Sequence, residues 1–318
     1  MPGKIKNISV LMPVYNGAKF VRQSITSVLN QTFKEFELVI VDDGSTDGTD
    51  KIIQEYTDSR IRYFRTEHSG TSAALNFGVT KCKFEWIARI DADDINTPLR
   101  LEKQAAYLEK EPETDILSSW SAYFTDPAKI IFVLREPAEH EDIVKSLGLH
   151  NPINQSAMIC RKSILEENKF NESLVNNEDF ELMFRLKDTC RFHILPEVLV
   201  YTRWRKDSRT FDSDNTNLYD MLYLDAFRKM QDSKSKGVHF YWASRIAWIN
   251  YFYGDRSDSR GYFRNSISAK NLTAYITTFL PNKYFFKFTE SRFRYRLRNI
   301  FEKTGVYSAE LKTLLGKN

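Results

Sequence analysis

Long apolar runs are missing from this 318-residue sequence: none approaches the ~20 residues that a membrane-spanning helix needs. The segment Met1–Asn7 carries no apolar leader core ahead of the first strand-like run, so an exported precursor is not expected. Cysteine is scarce as well. Cys82, Cys160 and Cys190 are odd in number and far apart, which argues against a disulfide framework and gives no metal-ligand spacing. They read as reduced core thiols of a cytoplasmic protein. Internal repeats, low-complexity tracts and nucleic-acid-binding motifs are absent too, so no nucleic-acid partner is expected.

What is present is 42% hydrophobic and 28% charged residues, an ordinary globular balance, in a chain long enough for one large domain or one domain with an appendage. The net charge of +4 is unevenly spread: from Lys283 onward nine Lys/Arg stand against three Glu. A basic tail on a near-neutral body points to an anionic surface as partner. From residue 212 the chain becomes rich in Tyr, Phe and Trp, and Tyr219–Met230, His239–Tyr253, Gly261–Ala269 and Tyr284–Phe301 read as helices. The last of these has two readings: peripheral attachment to a membrane, or packing on the rest of the chain or on a second copy in a homo-oligomer.

The first part alternates strand and helix patterns. Ile8–Val14 reads as a buried strand, and Val21, Ile25, Val28 and Leu29 give helical spacing across 18–31. Strands at 37–42, 60–64 and 84–90 and helices at 50–56, 71–79 and 99–110 follow. This alternation predicts βαβ units, a mostly parallel sheet and ligand binding at the carboxyl ends of its strands. Beyond 115 the pattern is mixed, with strands at 116–124, 130–134, 156–160 and 198–204 and helices at 139–147 and 178–187.

Polar clusters sit at the predicted strand ends. Pro13, Tyr15 and Asn16 end the first strand, Asp42, Asp43 and Gly44 the second, and Asp91, Asp93 and Asp94 the fourth. Each alone could be a turn. Three carboxylates within four positions repel unless solvent or a cation separates them, and oxygen ligands suit a hard ion such as Mg²⁺ or Mn²⁺ that shares its shell with water and phosphate. Three clusters on one sheet edge favour such a metal–phosphate site over unrelated loops. The small residues of Gly70–Gly78, around Asn76, are either a close-packed helix or backbone kept low beneath a ligand.

Taken in order, Pro13–Asn16, Val41–Ser45, Gly70 to Asn76 and Gly78, Asp91–Asp94 and Glu178–Asp179 resemble the inverting glycosyltransferases of family 2, of bacterial surface-glycan type, over residues 5–210. The resemblance implies an α/β GT-A fold with a mostly parallel sheet flanked by helices. It implies a catalytic domain over 1–211, with a nucleotide-sugar half at about 1–115 and an acceptor half at about 116–211, and a helical region over 212–318. In its terms Pro13, Tyr15 and Asn16 shape the nucleotide pocket, Asp43 meets uracil or ribose, Asp42 supports that turn, and Asn76, Arg89, Asp94 and Glu178 line the substrate site. Asp93 with Asp91 holds Mn²⁺ or Mg²⁺, and Asp179 is the general base. The expected donor is a UDP-sugar or another nucleoside-diphosphate sugar. The acceptor is a hydroxyl of a glycan or lipid-linked oligosaccharide, met in the cytoplasm or on the inner face of the membrane. Many relatives carry a His in the segment that here runs Val200 to Lys206 without one, so Arg203 or Arg205 is expected to meet the diphosphate. His150–Gln155 falls where relatives often have an acceptor-side loop. Two other readings remain: a nucleotidyl- or phosphosugar transferase, and a non-catalytic nucleotide-sugar-binding scaffold.

Overall fold

The computed structural model describes residues 4–125, 129–148 and 150–205, and beyond them chiefly the helices 256–265 and 304–315. The chain runs β1 (Ile8–Val14), α1 (Val21–Leu29), β2 (Phe36–Asp42), α2 (Thr49–Gln54), β3 (Ile61–Arg65), α3 (Thr71–Lys81), β4 (Trp86–Arg89), β5 (Ile95–Asn96) and α4 (Arg100–Lys110). It continues through β6 (Ile116–Thr125), β7 (Lys129–Leu134), α5 (His140–Leu147), β8 (Ile159–Arg161), α6 (Lys162–Glu167), α7 (Glu178–Leu186) and β9 (Phe192–Arg203). The two later helices are α8 (Arg256–Asn265) and α9 (Thr304–Leu315).

One sheet takes the order β3-β2-β1-β4-β8-β6-β9-β5, with β7 paired to the second half of β6. The pairs β3–β2, β2–β1 and β1–β4 are parallel, as the alternating pattern predicts; β8 runs antiparallel to both β4 and β6. Successive side chains of a strand face opposite ways, which sorts β1 between two cores. Ile8, Val10, Met12 and Val14 pack with Val21, Ile25 and Val28 of α1 and with Leu101 and Leu108 of α4. Leu11 packs on the other face, with Leu75 and Val79 of α3 and Phe180 and Met183 of α7. A Cβ at Gly78 would lie 2.4 Å from Leu11 Cδ1 and 3.1 Å from Val41 Cγ2, so this glycine lets α3 settle onto β1 and β2. The small residues of α3 thus serve close packing on the sheet.

Two elements differ from the sequence pattern for local reasons. β9 begins at Phe192 rather than 198. Pro196 reads as a strand stop, yet it falls where the register breaks between Leu195↔Ser119 and Val198↔Trp120, and a residue without an N–H is tolerated at such a bulge. The strand expected at 156–160 starts only at Ile159, because Asn154 Oδ1 accepts the Ser156 N–H at 2.8 Å and starts a 3₁₀ turn over Gln155–Ala157. In the C-terminal region, Leu311 of α9 packs with Phe124, Val133 and Tyr201, and the Tyr201 hydroxyl donates to Glu310 Oε2 at 2.7 Å. The helix expected at 284–301 lies outside the described residues, as do nearly all of those expected at 219–230 and 239–253. Among the described residues no helix is long and apolar enough to cross a membrane.

Candidate active site

The loops after β1, β2 and β3 are laced together at the carboxyl edge of the sheet. Asn16 has a positive φ of 50°, which Asn tolerates better than most side chains. Its backbone N–H donates to Ser45 Oγ at 2.9 Å while its Oδ1 accepts the Thr46 N–H at 2.9 Å. Pro13 pairs in register with Val41, which places Tyr15 beside the end of β2. Asp42 is fully buried: Oδ1 accepts the Ser45 N–H and Oδ2 accepts the Tyr63 hydroxyl, each at 2.8 Å. These bonds tie the turn after β2 to the side chain of β3. Asp43 is buried as well, with Oδ1 accepting from the Ser69 N–H and Oδ2 from Gly70 N–H and His68 Nδ1. Tyr15, among the few exposed large side chains, stacks on the His68 ring with centroids 3.9 Å apart.

At the end of β4 the three carboxylates take separate environments. Asp91 Oδ1 lies 2.8 Å from Arg89 Nη2, and its Oδ2 accepts the Ser156 hydroxyl at 2.9 Å. Asp93 Oδ2 lies 3.4 Å from Arg205 Nε. Asp94 is buried, its Oδ1 accepting the Arg203 N–H at 2.8 Å. Burial and then the Asp91 charge push the Asp93 carboxyl above its ordinary range, and burial with the Asp93 and Asp91 charges raises that of Asp94 as well. Like charges held this close favour a proton or a cation.

Arg89 is buried between this cluster and the start of α7, close enough to feel the charges of Asp91, Glu178 and Asp179. Its Nε and Nη1 have no hydrogen-bond partner. Asp179 sits in the first turn of α7, Oδ1 accepting the Phe180 N–H at 2.8 Å and Oδ2 accepting Asn151 Nδ2 at 3.1 Å. Burial, then the neighbouring Glu178 charge, raise its carboxyl to about 6. A carboxylate poised there can take a proton near neutral pH.

Two residues expected at the substrate site are engaged within the protein. Asn76 donates both amide hydrogens, to the Phe170 carbonyl at 2.9 Å and Glu172 Oε1 at 2.8 Å, and accepts the Phe170 N–H. It clamps α3 to the loop before α7 and has no donor left for a ligand. Arg203 is buried, with Nε on the Asp93 carbonyl at 3.0 Å, Nη2 on Gln23 Oε1 at 2.7 Å and the guanidinium over Phe20 and Phe124. It fixes the Asp93–Asp94 turn, and its charge acts on the Asp93 carboxyl together with that of Arg205.

Sequence reasoning missed His68, Asn151, Ser156 and Arg100. The buried Arg100 donates through Nη2 to the carbonyls of Arg89 at 2.8 Å and Met158 at 3.0 Å, securing β4 just before the acidic cluster. The resemblance flagged His150–Gln155, which holds Asn151, without giving that residue a role, and Ser156 read only as the start of a strand. Among the described residues no three His, Cys, Asp or Glu are arranged to hold a metal alone. A hard cation can be bound through one or two carboxylates and substrate phosphates without an all-protein cage. Asp93, with its raised carboxyl, and Asp91 beside it are the residues that could hold such an ion.

Residues 9–168 match the model of the family described as glycosyl transferase family 2. The O-antigen biosynthesis glycosyltransferase WbnJ of Escherichia coli is 34% identical over 202 residues, 62% of this chain and 79% of WbnJ. For two further curated relatives the match covers 32% and 85% of the relative's own length. S. aureus TarS 1-349, solved in complex with UDP-GlcNAc, superposes with a TM-score of 0.59 at 21% identity over 86% of this chain and 79% of that one. The mannosyltransferase PcManGT from Pyrobaculum calidifontis, in complex with GDP-Man and Mn²⁺, superposes with a TM-score of 0.52 at 16% identity, covering 98% and 86%. The architecture is that of the GT-A fold, as the motif order predicts.

Proposed function

The chain belongs to glycosyl transferase family 2, and on that premise we propose that it moves one sugar, with inversion, from a UDP-sugar to a hydroxyl of a glycan or lipid-linked oligosaccharide. The observation that carries this reading is the convergence, about one buried arginine, of the Asp91–Asp94 cluster and Asp179. Tyr15, His68 and Asp43 flank the base end of the donor site, with Pro13 and Asn16 shaping the loop. Asp93 and Asp91 face the diphosphate, with Arg205 beside them.

Asp179 accepts the proton of the attacking acceptor hydroxyl, and Asn151 holds its Oδ2 in place. Attack opposite the leaving group inverts the anomeric carbon and needs only this one base; a covalent intermediate would need a nucleophilic carboxylate as well. A bound Mn²⁺ or Mg²⁺ would supply charge neutralisation at the leaving diphosphate. Arg205 adds a cation that needs no metal, its guanidinium suited to phosphate oxygens. Asp94 and Arg203 act on the turn that presents Asp93.

The same proposal divides the chain into a donor half at about 1–115, an acceptor half at about 116–211 and a helical region from 212. It places the enzyme on the cytoplasmic side, held at the membrane by the basic aromatic segment 284–301. The relative named for O-antigen biosynthesis supports an assembly role in surface glycans.

A thermal-shift screen of UDP-, GDP- and dTDP-sugars with and without Mn²⁺ tests the reading. Stabilisation by one of them that EDTA abolishes is the expected result. Silence toward all of them, or a response to nucleoside triphosphates with pyrophosphate release, would overturn it.

A further inference from the structure

Three aromatic rings of the acceptor half have no part in the chemistry above. Tyr123 of β6 and Phe132 of β7 are register partners, and their rings stack with centroids 4.5 Å and planes 15° apart. The indole of Trp204, just after β9, stands nearly perpendicular to both, at 77° and 80°. Phe132 is buried, while Tyr123 and Trp204 are partly exposed and form an aromatic corner that it backs. Both flanks of this corner lead to the carboxylates of the site. On the β9 side Tyr123 pairs in register with Thr202, whose Oγ1 accepts from Asn154 Nδ2 at 3.1 Å; two residues on, Ser156 donates to Asp91 Oδ2. On the β7 side the chain runs on to Glu136, whose Oε2 lies 3.2 Å from His150 Nε2, and the next residue, Asn151, holds Asp179. Desolvation in the cleft, and after it the charges of Asp94, Glu136, Asp179 and Asp91, keep the Tyr123 hydroxyl protonated beyond its ordinary range.

We propose that Tyr123 and Trp204 form the acceptor subsite and that it takes an uncharged pyranose ring, seated with an apolar face on the aromatic corner and a hydroxyl toward Asp179. The inference rests on the transferase reading and narrows its acceptor from any hydroxyl to a ring of this class. A pyranose presents weakly positive C–H bonds on its apolar face, and the faces of Tyr and Trp rings are negative, so the two surfaces attract while they exclude water. The hydroxyls at the ring's rim remain free to donate to carboxylates such as Glu136. The charge class follows from the same surroundings. The charges that act most on the Tyr123 hydroxyl are all negative. An acidic sugar or a polyol phosphate would bring a further negative charge among them, where burial leaves little screening. The donor loops after β1, β2 and β3 lie across the sheet from this corner, which is built from β6, β7 and the end of β9.

Nucleotide release by the full chain, with Mn²⁺ and a nucleotide sugar that stabilises it, tests this against the methyl glycosides of glucose, galactose, mannose and N-acetylglucosamine. Methyl glucuronide and methyl galacturonide differ from their parents only by the charge at C6, and glycerol 3-phosphate offers hydroxyls with a charge and no ring. At least one neutral glycoside is expected to speed release above the rate with water alone. Acidic glycosides and glycerol 3-phosphate should have kcat/KM lower by about tenfold or more. Tyr123→Leu removes the ring and keeps an apolar side chain, so the acceptor KM should rise about tenfold, while the donor dissociation constant, read by calorimetry, stays within about twofold. Trp204→Leu makes the same test from the other wall should the first variant not fold. An acceptor KM unchanged in both, a matching loss of donor affinity, or a preference for the charged compounds would overturn the subsite and leave the transferase reading intact. So would a bound donor whose release no glycoside accelerates. Binding of no nucleotide sugar would overturn both.

Discussion

Replacing Asp179 by Asn removes a proton acceptor while keeping the shape that Asn151 and the Phe180 N–H hold. Loss of a positioned base typically costs 10²–10⁴-fold, so kcat should fall by about 10³-fold, about 4 kcal/mol of transition-state stabilisation, with little change in the donor KM. The wild-type carboxyl is raised to about 6. It must be ionised to act, so kcat/KM should fall about tenfold per unit of pH below 6 and level off above 7; the residual activity of the variant should lack that acid limb. Stability moves the opposite way. A carboxyl raised from 3.8 to about 6 on folding binds its proton longer in the native state, so the wild type loses stability as pH rises from about 4 to about 6. Asn does not titrate. The variant should therefore match the wild type near pH 4 and gain up to about 3 kcal/mol above pH 6, seen as a melting temperature several degrees higher. Steady-state rates from pH 5 to 9 and melting curves over pH 4–8 read both effects. Transfer within tenfold of wild type, or an unchanged acid limb, would refute the assignment of Asp179.

Asp93→Asn should lower transfer by at least about 10²-fold and abolish the Mn²⁺-dependent part of nucleotide-sugar stabilisation, checked by rates and melting curves across a metal titration. Asn151→Ala should lower kcat by about tenfold with an unchanged donor KM. Because the lost hydrogen bond favoured the charged carboxylate, its acid limb should move above 6, read in a kcat pH profile. Gly78→Ala should destabilise by about 1–3 kcal/mol, since the new methyl meets Leu11 and Val41 inside a packed core; chemical denaturation measures it, and activity at low temperature should survive.

The parallel half of the sheet was legible because each strand is a short continuous apolar run closed by turn residues, and each helix repeats its apolar positions at 3.6. The carboxyl-edge clusters followed from that topology. Burial and partners were not legible. Arg203 and Arg205 look equivalent in sequence, yet Arg203 points under Asp93 and Asp94 into Phe20 and Phe124, while Arg205 meets the Asp93 carboxylate. Asn76 resembles a pocket residue until Phe170, 94 positions away, takes both ends of its amide. His68 and Asn151 escaped notice because each gains meaning from one long-range hydrogen bond, to Asp43 and Asp179, that no periodicity marks. Pro196 hid half of β9 because a bulge, which depends on the partner strand, excuses its missing N–H.

The most direct test of one-step displacement from a nucleotide sugar needs no acceptor. A UDP-α-sugar that stabilises the protein is incubated with it and Mn²⁺, and ¹H NMR follows the slow hydrolysis in which water takes the acceptor's place. The account predicts UDP release with the β-anomer of the free sugar formed first and the α-anomer growing in only by mutarotation. First formation of the α-anomer would contradict inversion, and no nucleotide release from any stabilising donor would contradict transfer itself.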